Sequence, residues 1–261
     1  MIELSRRALI ALIALGVTTI AESAVGSSTT RVLAKGTPFE TTMRLLDSGR
    51  SGPTVLIVAG IHGNEPAPPR VAGELAPPKR GRLWVLPRAN RPALAARSRF
   101  VVGHSDLNRN FPHGPRREAR GTLARALWDA TVEIAPDWVL DLHEGWGYSA
   151  LGRSMGSSIV WVPDARVSKR TEPLTRELLA RVNETVARPH KRFTLLQPGP
   201  GGSFARSVTE VLAIPSFVFE TTWIEPMEVR MRQQHLLVSS ALEAIGLGSV
   251  HRGAAPLCPA G

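Results

Sequence analysis

The sequence predicts an α/β domain in which a mostly parallel mixed sheet lies between two layers of helices, a three-layer α/β/α sandwich. The first observation is a series of short, continuously apolar runs along the chain. The second is that helix-length segments of mixed polarity separate these runs. Strands buried on both faces have such runs, and strands that alternate with helices form parallel sheets covered on both sides.

The predicted elements follow from these runs in order. Apolar runs at Thr54–Ala59 and at residues 83–86, 138–142, 159–162 and 217–219 predict strands. Helical patterns cover residues 121–135, 172–187 and 227–245, and the proline-rich stretches 66–69 and 77–78 are interpreted as loops. No internal repeat or long linker interrupts the pattern. We therefore expect one domain at residues 32–248 and a C-terminal tail at residues 249–261.

Residues 1–24 have the pattern of a signal peptide. Arg6 and Arg7 precede an apolar run at residues 8–20, and small residues follow around Ala24. The run is short for a bilayer span, which favours a cleaved signal and no stable membrane span after its removal. Ser5 before the two arginines also suggests a twin-arginine signal. The expected location is exported, periplasmic or secreted; a buried N-terminal helix is the alternative.

The charge balance is basic, with 32 Lys and Arg against 22 Asp and Glu and a formal net charge of +10. No Lys/Arg-rich block with interleaved aromatic residues is present, so the sequence does not predict a nucleic-acid partner. A basic surface favours acidic substrates or anionic cell-envelope polymers.

Potential metal ligands follow two of the predicted strands. His62 and Glu65 come directly after the first strand, and Gly63 between them permits a tight turn. His143 lies at the end of another strand, where period-two alternation places Asp141 on the same side. Imidazole and carboxylate are suitable zinc ligands, and a catalytic zinc keeps three protein ligands and a water. Spacing alone also permits ordinary surface residues.

Two further segments carry polar groups suited to a substrate. Adjacent Asn108 and Arg109 offer amide and guanidinium donors, and a guanidinium binds a carboxylate in a bidentate manner. The alternative is a turn in which Asp106 and Asn110 cap backbone groups. Glu220 ends a buried strand, where a carboxylate is costly unless it faces a polar cavity. Beside an activated water it would act as a general base.

These motifs, in this order, resemble the M14-like zinc carboxypeptidase superfamily, particularly its succinylglutamate desuccinylase/aspartoacylase branch. The resemblance rests on residues 60–65, 106–111, 141–143 and 219–220. The segment at 106–112 also looks like that of the murein-peptide amidases in the same superfamily. The resemblance implies a zinc carboxypeptidase-like fold and one zinc ion per chain, held by His62, Glu65 and His143.

The resemblance also implies roles for other residues. Asn108 and Arg109 match the pair that binds a substrate carboxylate, and Glu220 matches the general base and acid. The family uses an upstream arginine to stabilise the oxyanion, for which Arg99 is the nearest match and Arg97 the alternative. Tyr148, the single tyrosine of the chain, does not match the mobile tyrosine of many carboxypeptidases.

The domain at 32–248 is thus expected to be a zinc-dependent hydrolase. Its substrate would be a small molecule or short peptide, cell-wall peptide included, that carries a carboxylate and is cleaved at an amide bond. One alternative is an N-acyl amino acid deacylase of the desuccinylase/aspartoacylase type. Another is a zinc-free module that binds peptides or cell-wall fragments on the same fold. The loops at 145–158 and 199–203 are expected to shape the pocket without naming its ligand.

Overall fold

The computed structural model describes residues 28–152, 154–248 and 250, which form one mixed eight-stranded sheet with helices on both faces. The strand order is β1-β2-β4-β3-β5-β8-β6-β7. The strands are β1 Ser28–Leu33, β2 Thr41–Asp47, β3 Thr54–Ala59, β4 Arg82–Leu86, β5 Trp138–Gly145, β6 Ser158–Trp161, β7 Thr194–Leu196 and β8 Ser216–Thr222. The helices are α1 Ala67–Glu74, α2 Arg91–Ala96, α3 Thr122–Ile134, α4 Ser168–Glu184, α5 Phe204–Leu212 and α6 Met227–Ile245.

The centre of the sheet is parallel and its margins contain the antiparallel pairs. Strands β4, β3, β5 and β8 run in one direction, so their carboxyl ends meet at one edge. Antiparallel pairing joins β1 to β2, β2 to β4 and β6 to β8. The predicted α/β class with a mostly parallel mixed sheet is therefore confirmed.

Two apolar cores lie on opposite faces of the sheet. Alternate residues of β3 divide between them: Val55, Ile57 and Ala59 face one core, and Leu56 and Val58 face the other. The first core includes side chains from α1, α4 and α6, and the second includes side chains from α3 and α5. Because both faces are covered, the central strands are apolar throughout, and this explains why they were recognisable in the sequence.

The structure differs from the sequence prediction at several elements. The stretch 66–69, predicted as a loop, contains the start of α1, with proline in the first turn. Proline is compatible with a first turn because the backbone N–H groups there need no helical acceptor. Strands β1, β2 and β7 and helices α2 and α5 had no sequence prediction. These elements are short or lie at the sheet margins, where apolar patterns are weak.

Residues on both sides of the predicted domain at 32–248 take part in the described fold. Strand β1 begins at Ser28, and Val250 is buried in the first core. The predicted signal peptide at residues 1–24 and the tail beyond Val250 lie outside the described residues and stay predictions. None of the helices in the described part of the chain combines the length and apolar character needed to cross a bilayer.

Candidate metal centre

His62, Glu65 and His143 meet at the carboxyl ends of the central strands. Their potential ligand atoms all lie within 4.8 Å of one another. The Nδ1 atom of His62 is 2.6 Å from Glu65 Oε1, and the Nδ1 atom of His143 is 2.9 Å from Glu65 Oε2. All three side chains are buried. The two imidazoles and one carboxylate therefore converge on one point, and this donor set suits zinc or a similar divalent transition metal.

Asp141 completes the arrangement behind His143. Its Oδ1 atom lies 3.1 Å from His143 Nε2, at ion-pair distance but without the alignment of a hydrogen bond. Both Asp141 oxygens and His143 Nε2 are buried and have no hydrogen-bond partner among the described residues. A histidine that coordinates a metal through one ring nitrogen carries its proton on the other, commonly facing a carboxylate. The position of Asp141 thus fits a metal-bound His143.

The charges of this group depend on one another. Burial opposes ionisation of Glu65, but the His143 and His62 rings lower the pKa of its carboxyl to about 2. Burial disfavours a charged His143, yet Asp141 and Glu65 raise the pKa of this ring well above its ordinary value. The buried carboxylates therefore require positive charge nearby, which protonated imidazoles or a bound divalent cation can provide.

Gly63 allows the ligand loop after β3 to pack against α2. A Cβ atom at Gly63 would lie 1.9 Å from the carbonyl oxygen of Ala93, and the Gly63 N–H donates to the Ser98 carbonyl at 2.9 Å. The glycine predicted at this turn is therefore required by close backbone contact, since its φ angle is not positive. The contact fixes the path of the chain between His62 and Glu65.

A second set of buried polar groups supports the ligands from α1 and α6. Glu144 accepts hydrogen bonds from Ala67 N–H and Arg230 Nη1, both at 2.9 Å, and its own N–H donates to Glu65. Gln234 Nε2 donates to the His143 carbonyl at 2.8 Å. The sequence predicts no role for these residues. Glu144 adjoins His143 and could have been suspected, whereas Arg230 and Gln234 carry no signal in the sequence.

Glu220 lies on the strand next to that of His143. It is beside the triad, as we call His62, Glu65 and His143. Strand pairing places it opposite His143, and it lines a cavity of about 610 Å³ together with His62 and Glu65. The side chain is 8% exposed, so it reaches this cavity from an otherwise buried position. Burial raises the pKa of its carboxyl to about 8, against the opposing effect of His143. A carboxyl with this pKa can exchange protons near neutral pH.

The predicted substrate residues line the same cavity. Arg99, Asn108 and Arg109 are all at its wall. Asn108 Oδ1 accepts from the Phe204 N–H at 2.8 Å, and Arg109 donates to the Asn108 carbonyl. Arg99 donates to Asp106 Oδ2 at 3.0 Å, and its Nη1 is 4.0 Å from Glu65 Oε1.

Asp106 does more than cap the turn. Its carboxylate accepts the Asn108 N–H at 2.9 Å, as the capping interpretation predicted. The same carboxylate also lies 3.1 Å from His62 Nε2 and pairs with Arg99. Burial works against ionisation, but the His62 ring and the Arg99 guanidinium hold the pKa of Asp106 well below its usual range. Asp106 therefore links the turn that contains Asn108 to His62.

The structure separates the remaining candidates from the triad. Arg97, the alternative to Arg99, lines a neighbouring cavity with Gly63, Arg70 and Arg88. Tyr148 is buried, and its hydroxyl donates to Glu225 at 2.6 Å. Both predicted pocket loops contribute to the lining of the cavity beside Glu220, one through Trp146 and Met155 and the other through Gly199 and Ser203.

The topology of the sheet and the buried His-Glu-His cluster agree with the M14-like superfamily. The family model for the succinylglutamate desuccinylase/aspartoacylase catalytic domain matches residues 51–227. The chain belongs to this family, and the predicted resemblance is confirmed. The matched segment contains all three cluster residues and Glu220.

One protein is similar to this chain in sequence, and several solved structures are similar to it in fold. A succinylglutamate desuccinylase from Serratia proteamaculans (strain 568) is 28% identical over 205 residues, which cover 73% of this chain and 58% of that protein. The Helicobacter pylori cell shape determinant Csd4, described as a D,L-carboxypeptidase, has a TM-score of 0.67 at 17% identity, over 81% of this chain and 57% of that chain. A candidate metallopeptidase from Shewanella amazonensis SB2B has a TM-score of 0.65 at 17% identity, over 84% and 87%.

These relatives differ in what they support. The two solved structures share the fold with this chain. The chain spans less than two thirds of the length of the Serratia desuccinylase and of Csd4. Specific substrates of those longer proteins therefore do not transfer directly.

Proposed function

We propose that this protein is a zinc-dependent hydrolase that cleaves an amide bond in a carboxylate-bearing substrate. The supporting observation is that His62, Glu65 and His143 converge on one another, and that His62 and Glu65 line a cavity together with Glu220. A buried metal-ligand set next to a carboxyl of raised pKa is the combination that hydrolysis of an amide by activated water requires.

His62, Glu65 and His143 would hold the zinc. When bound, zinc would act as a Lewis acid and lower the pKa of water towards neutrality. Glu220 removes a proton from the attacking water and later donates a proton to the leaving amine. Burial favours the neutral form of Glu220 once it has accepted that proton. Asp141 holds the His143 ring in one orientation.

Arg99, Asn108 and Arg109 bind and orient the substrate in this proposal. Because Asn108 Oδ1 accepts from the Phe204 N–H, its side-chain NH₂ group remains as a donor. Arg109 supplies guanidinium donors next to it, and together they bind a carboxylate. Arg99, held by Asp106, stabilises the developing oxyanion, and one such donor contributes about 3–4 kcal/mol in hydrolases studied by mutagenesis.

The test of this proposal is the Glu220→Gln variant. It should retain zinc because Glu220 is not a ligand, and it should lose at least about 10²-fold in kcat because the proton acceptor is gone. Zinc content by atomic spectroscopy and hydrolysis of N-acyl amino acids and murein tripeptide are the measurements. Turnover at the wild-type level would show that Glu220 is not the base.

Deacylation of N-acyl amino acids is the second candidate, and family membership favours it. Peptide cleavage is supported by the fold shared with Csd4, whose structures include a tripeptide complex. The two differ in the group on the acyl side of the cleaved bond, which is a simple acid in one case and a peptide in the other. If peptides with a C-terminal carboxylate are cleaved and simple N-acyl amino acids are not, the activity is of the carboxypeptidase or murein-peptide amidase type.

A zinc-free binding module is the alternative from another class. The complete ligand set and the adjacent Glu220 argue against it, because a binding module has no need of either. Metal analysis after purification without chelators should give close to one equivalent of zinc per chain. A value below about half an equivalent would favour the binding module.

We also propose that the protein is exported and that residues 1–24 are removed. The arginine pair and the apolar run that follows it support this proposal. Sequencing the N-terminus of the mature protein tests it, and a retained Met1 would contradict it.

A further inference from the structure

Two tryptophans line the same cavity as His62, Glu65 and Glu220. Trp146 follows β5 and Trp223 follows β8, each three residues beyond a residue of the site, His143 and Glu220 respectively. These strands pair up to Gly145 and Thr222, and the Trp223 N–H donates to the Gly145 carbonyl at 3.2 Å. Strand register therefore puts the two tryptophans at neighbouring positions of adjacent strand ends.

Both indoles are unusually open to solvent. Trp146 is 70% exposed and Trp223 is 40% exposed, while the other four tryptophans are buried or half-buried. Met155 adds a further apolar side chain beside them at 36% exposure. An exposed apolar group that lines a cavity is typical of a binding surface, because its burial by a ligand releases a large apolar area from water. We call Trp146, Met155 and Trp223 the apolar rim.

The cavity interior continues this apolar character. Val160, Val162 and Val218 line the same cavity as the apolar rim, His62 and Glu65. A group rich in hydroxyls would leave some of them without partners against these valines, and each such loss is costly. Arg99 and Arg109 provide positive charge on the same cavity. The cavity thus suits an amphiphilic molecule with a carboxylate and an alkyl or aromatic group.

The loops that carry the indoles are tied together two residues further on. Tyr148 donates to Glu225 at 2.6 Å, and Lys191 pairs with the same Glu225 oxygen at 2.6 Å. Tyr148 and Glu225 follow Trp146 and Trp223 by two residues each, and both are buried. The rim is therefore held in place before a ligand arrives, so little loop entropy is lost on binding.

We propose that Trp146 and Trp223 bind an alkyl or aromatic substituent of the substrate. This inference rests on the proposed function, and it narrows the substrate class to amides that carry both a carboxylate and an apolar group. The occupant is assigned to the substrate because the apolar rim lines the same cavity as His62, Glu65 and Glu220.

Two homologous series of substrates test the proposal with the zinc-loaded full chain. One lengthens the acyl side from acetyl to octanoyl on a fixed amino acid, and the other lengthens the side chain of N-acetyl amino acids from alanine to norleucine. In one series, kcat/KM should rise about two- to fourfold per methylene, as expected for partial to full burial. Trp146→Ala and Trp223→Ala should reduce this increase of kcat/KM per methylene, and Trp146→Phe should keep most of it.

Val132→Ala is the matched control, because Val132 is a 49% exposed apolar residue on α3, remote from the cavity lining. It should leave the dependence on chain length unchanged. The proposal is wrong if kcat/KM does not depend on chain length in either series, or if the tryptophan variants show the same dependence as the wild type. It is also wrong if only saccharide-bearing cell-wall peptides are cleaved, or if the tryptophan variants change the oligomeric mass without changing the dependence of kcat/KM on chain length.

Binding without turnover separates this proposal from the proposed function. Octanoate should bind the zinc-loaded protein at least about tenfold more tightly than acetate by calorimetry, and Trp146→Ala should remove most of this difference. If no amide is hydrolysed but this preference is found, the proposed function fails and the apolar rim stands. If amides are hydrolysed and octanoate binds no better than acetate, the apolar rim is refuted.

Discussion

Single side chains in this site are held by partners from distant parts of the chain. Glu144 is the clearest example, because its carboxylate is buried between the N–H group of Ala67 and the guanidinium of Arg230. Burial raises the pKa of Glu144, and the Ala67 N–H and Arg230 oppose this effect. Since its backbone also donates to Glu65, Glu144 links the metal ligand to α1 and α6.

Replacing Arg230 tests this link. Arg230→Met should lower the free energy of unfolding by about 3 kcal/mol at pH 8, because removal of one partner leaves a buried carboxylate unpaired. The loss should be smaller at pH 5, where the unpaired Glu144 can accept a proton. Urea unfolding at the two pH values measures both effects.

Arg232→Met provides the control for that experiment. Arg232 is exposed on the same helix, so its replacement should change stability by less than about 0.5 kcal/mol at either pH. Equal losses for the two variants would show that the buried pair has no special contribution.

At the scale of residues, the sequence predicted best the positions of side chains that belong to a recognisable motif. The placement of His62, Glu65 and His143 in one cluster, with Asp141 behind His143, was anticipated from strand ends and alternation. The pairing of Glu144 with Arg230 was not anticipated, because Arg230 lies 86 residues away and only the packing of α6 on the sheet brings it near.

At the scale of elements, the ligand loop depends on its contact with α2. The backbone at Gly63 approaches Ala93 so closely that no side chain fits between them. Helix α2 is short, and its own residues carry no metal ligand. Its effect on the site is to fix the position of the loop between His62 and Glu65.

Gly63→Ala tests the role of this contact. The added methyl group would lie 1.9 Å from a carbonyl oxygen, so the loop or α2 must shift. We expect a loss of about 1–3 kcal/mol in unfolding free energy and at least about tenfold weaker zinc binding, since overpacking displaces the ligands. Thermal unfolding and competition with a zinc chelator are the measurements.

Gly73→Ala is the control for the loop variant. Gly73 lies in α1, and a Cβ atom there would meet nothing within 4 Å. Alanine should stabilise this helix by up to about 1 kcal/mol and leave zinc affinity unchanged. A similar loss of zinc affinity in both variants would show that the contact between Gly63 and α2 has no special role in zinc binding.

At the scale of the whole molecule, folding gathers several carboxyl groups into one buried region. At Glu220, burial disfavours the ionised form of the carboxyl. It raises the pKa to about 8, whereas in the unfolded chain the carboxyl would ionise near 4.5. The folded metal-free protein therefore keeps a proton that the unfolded chain loses. This contribution to stability is complete below pH 4.5 and is lost as the pH rises to about 8.

Metal removal makes this contribution measurable. In the presence of a chelator, wild-type stability should fall relative to Glu220→Gln between pH 5 and pH 8, by up to about 1.4 kcal/mol per pH unit. The variant lacks the titrating carboxyl, so its curve should be flatter. Parallel curves for the two proteins would show that Glu220 is already ionised in the metal-free fold.

The amino-acid sequence by itself determined the class of fold, the central strands and the residues of the candidate metal centre. It did so because buried parallel strands are apolar throughout and functional groups concentrate at their carboxyl ends. Tertiary structure alone decided that Arg99 and not Arg97 lines the cavity beside Glu220, that Arg230 pairs with Glu144, and that Trp146 and Trp223 line one cavity. Such contacts join segments far apart in the chain, and no local pattern of residues records them.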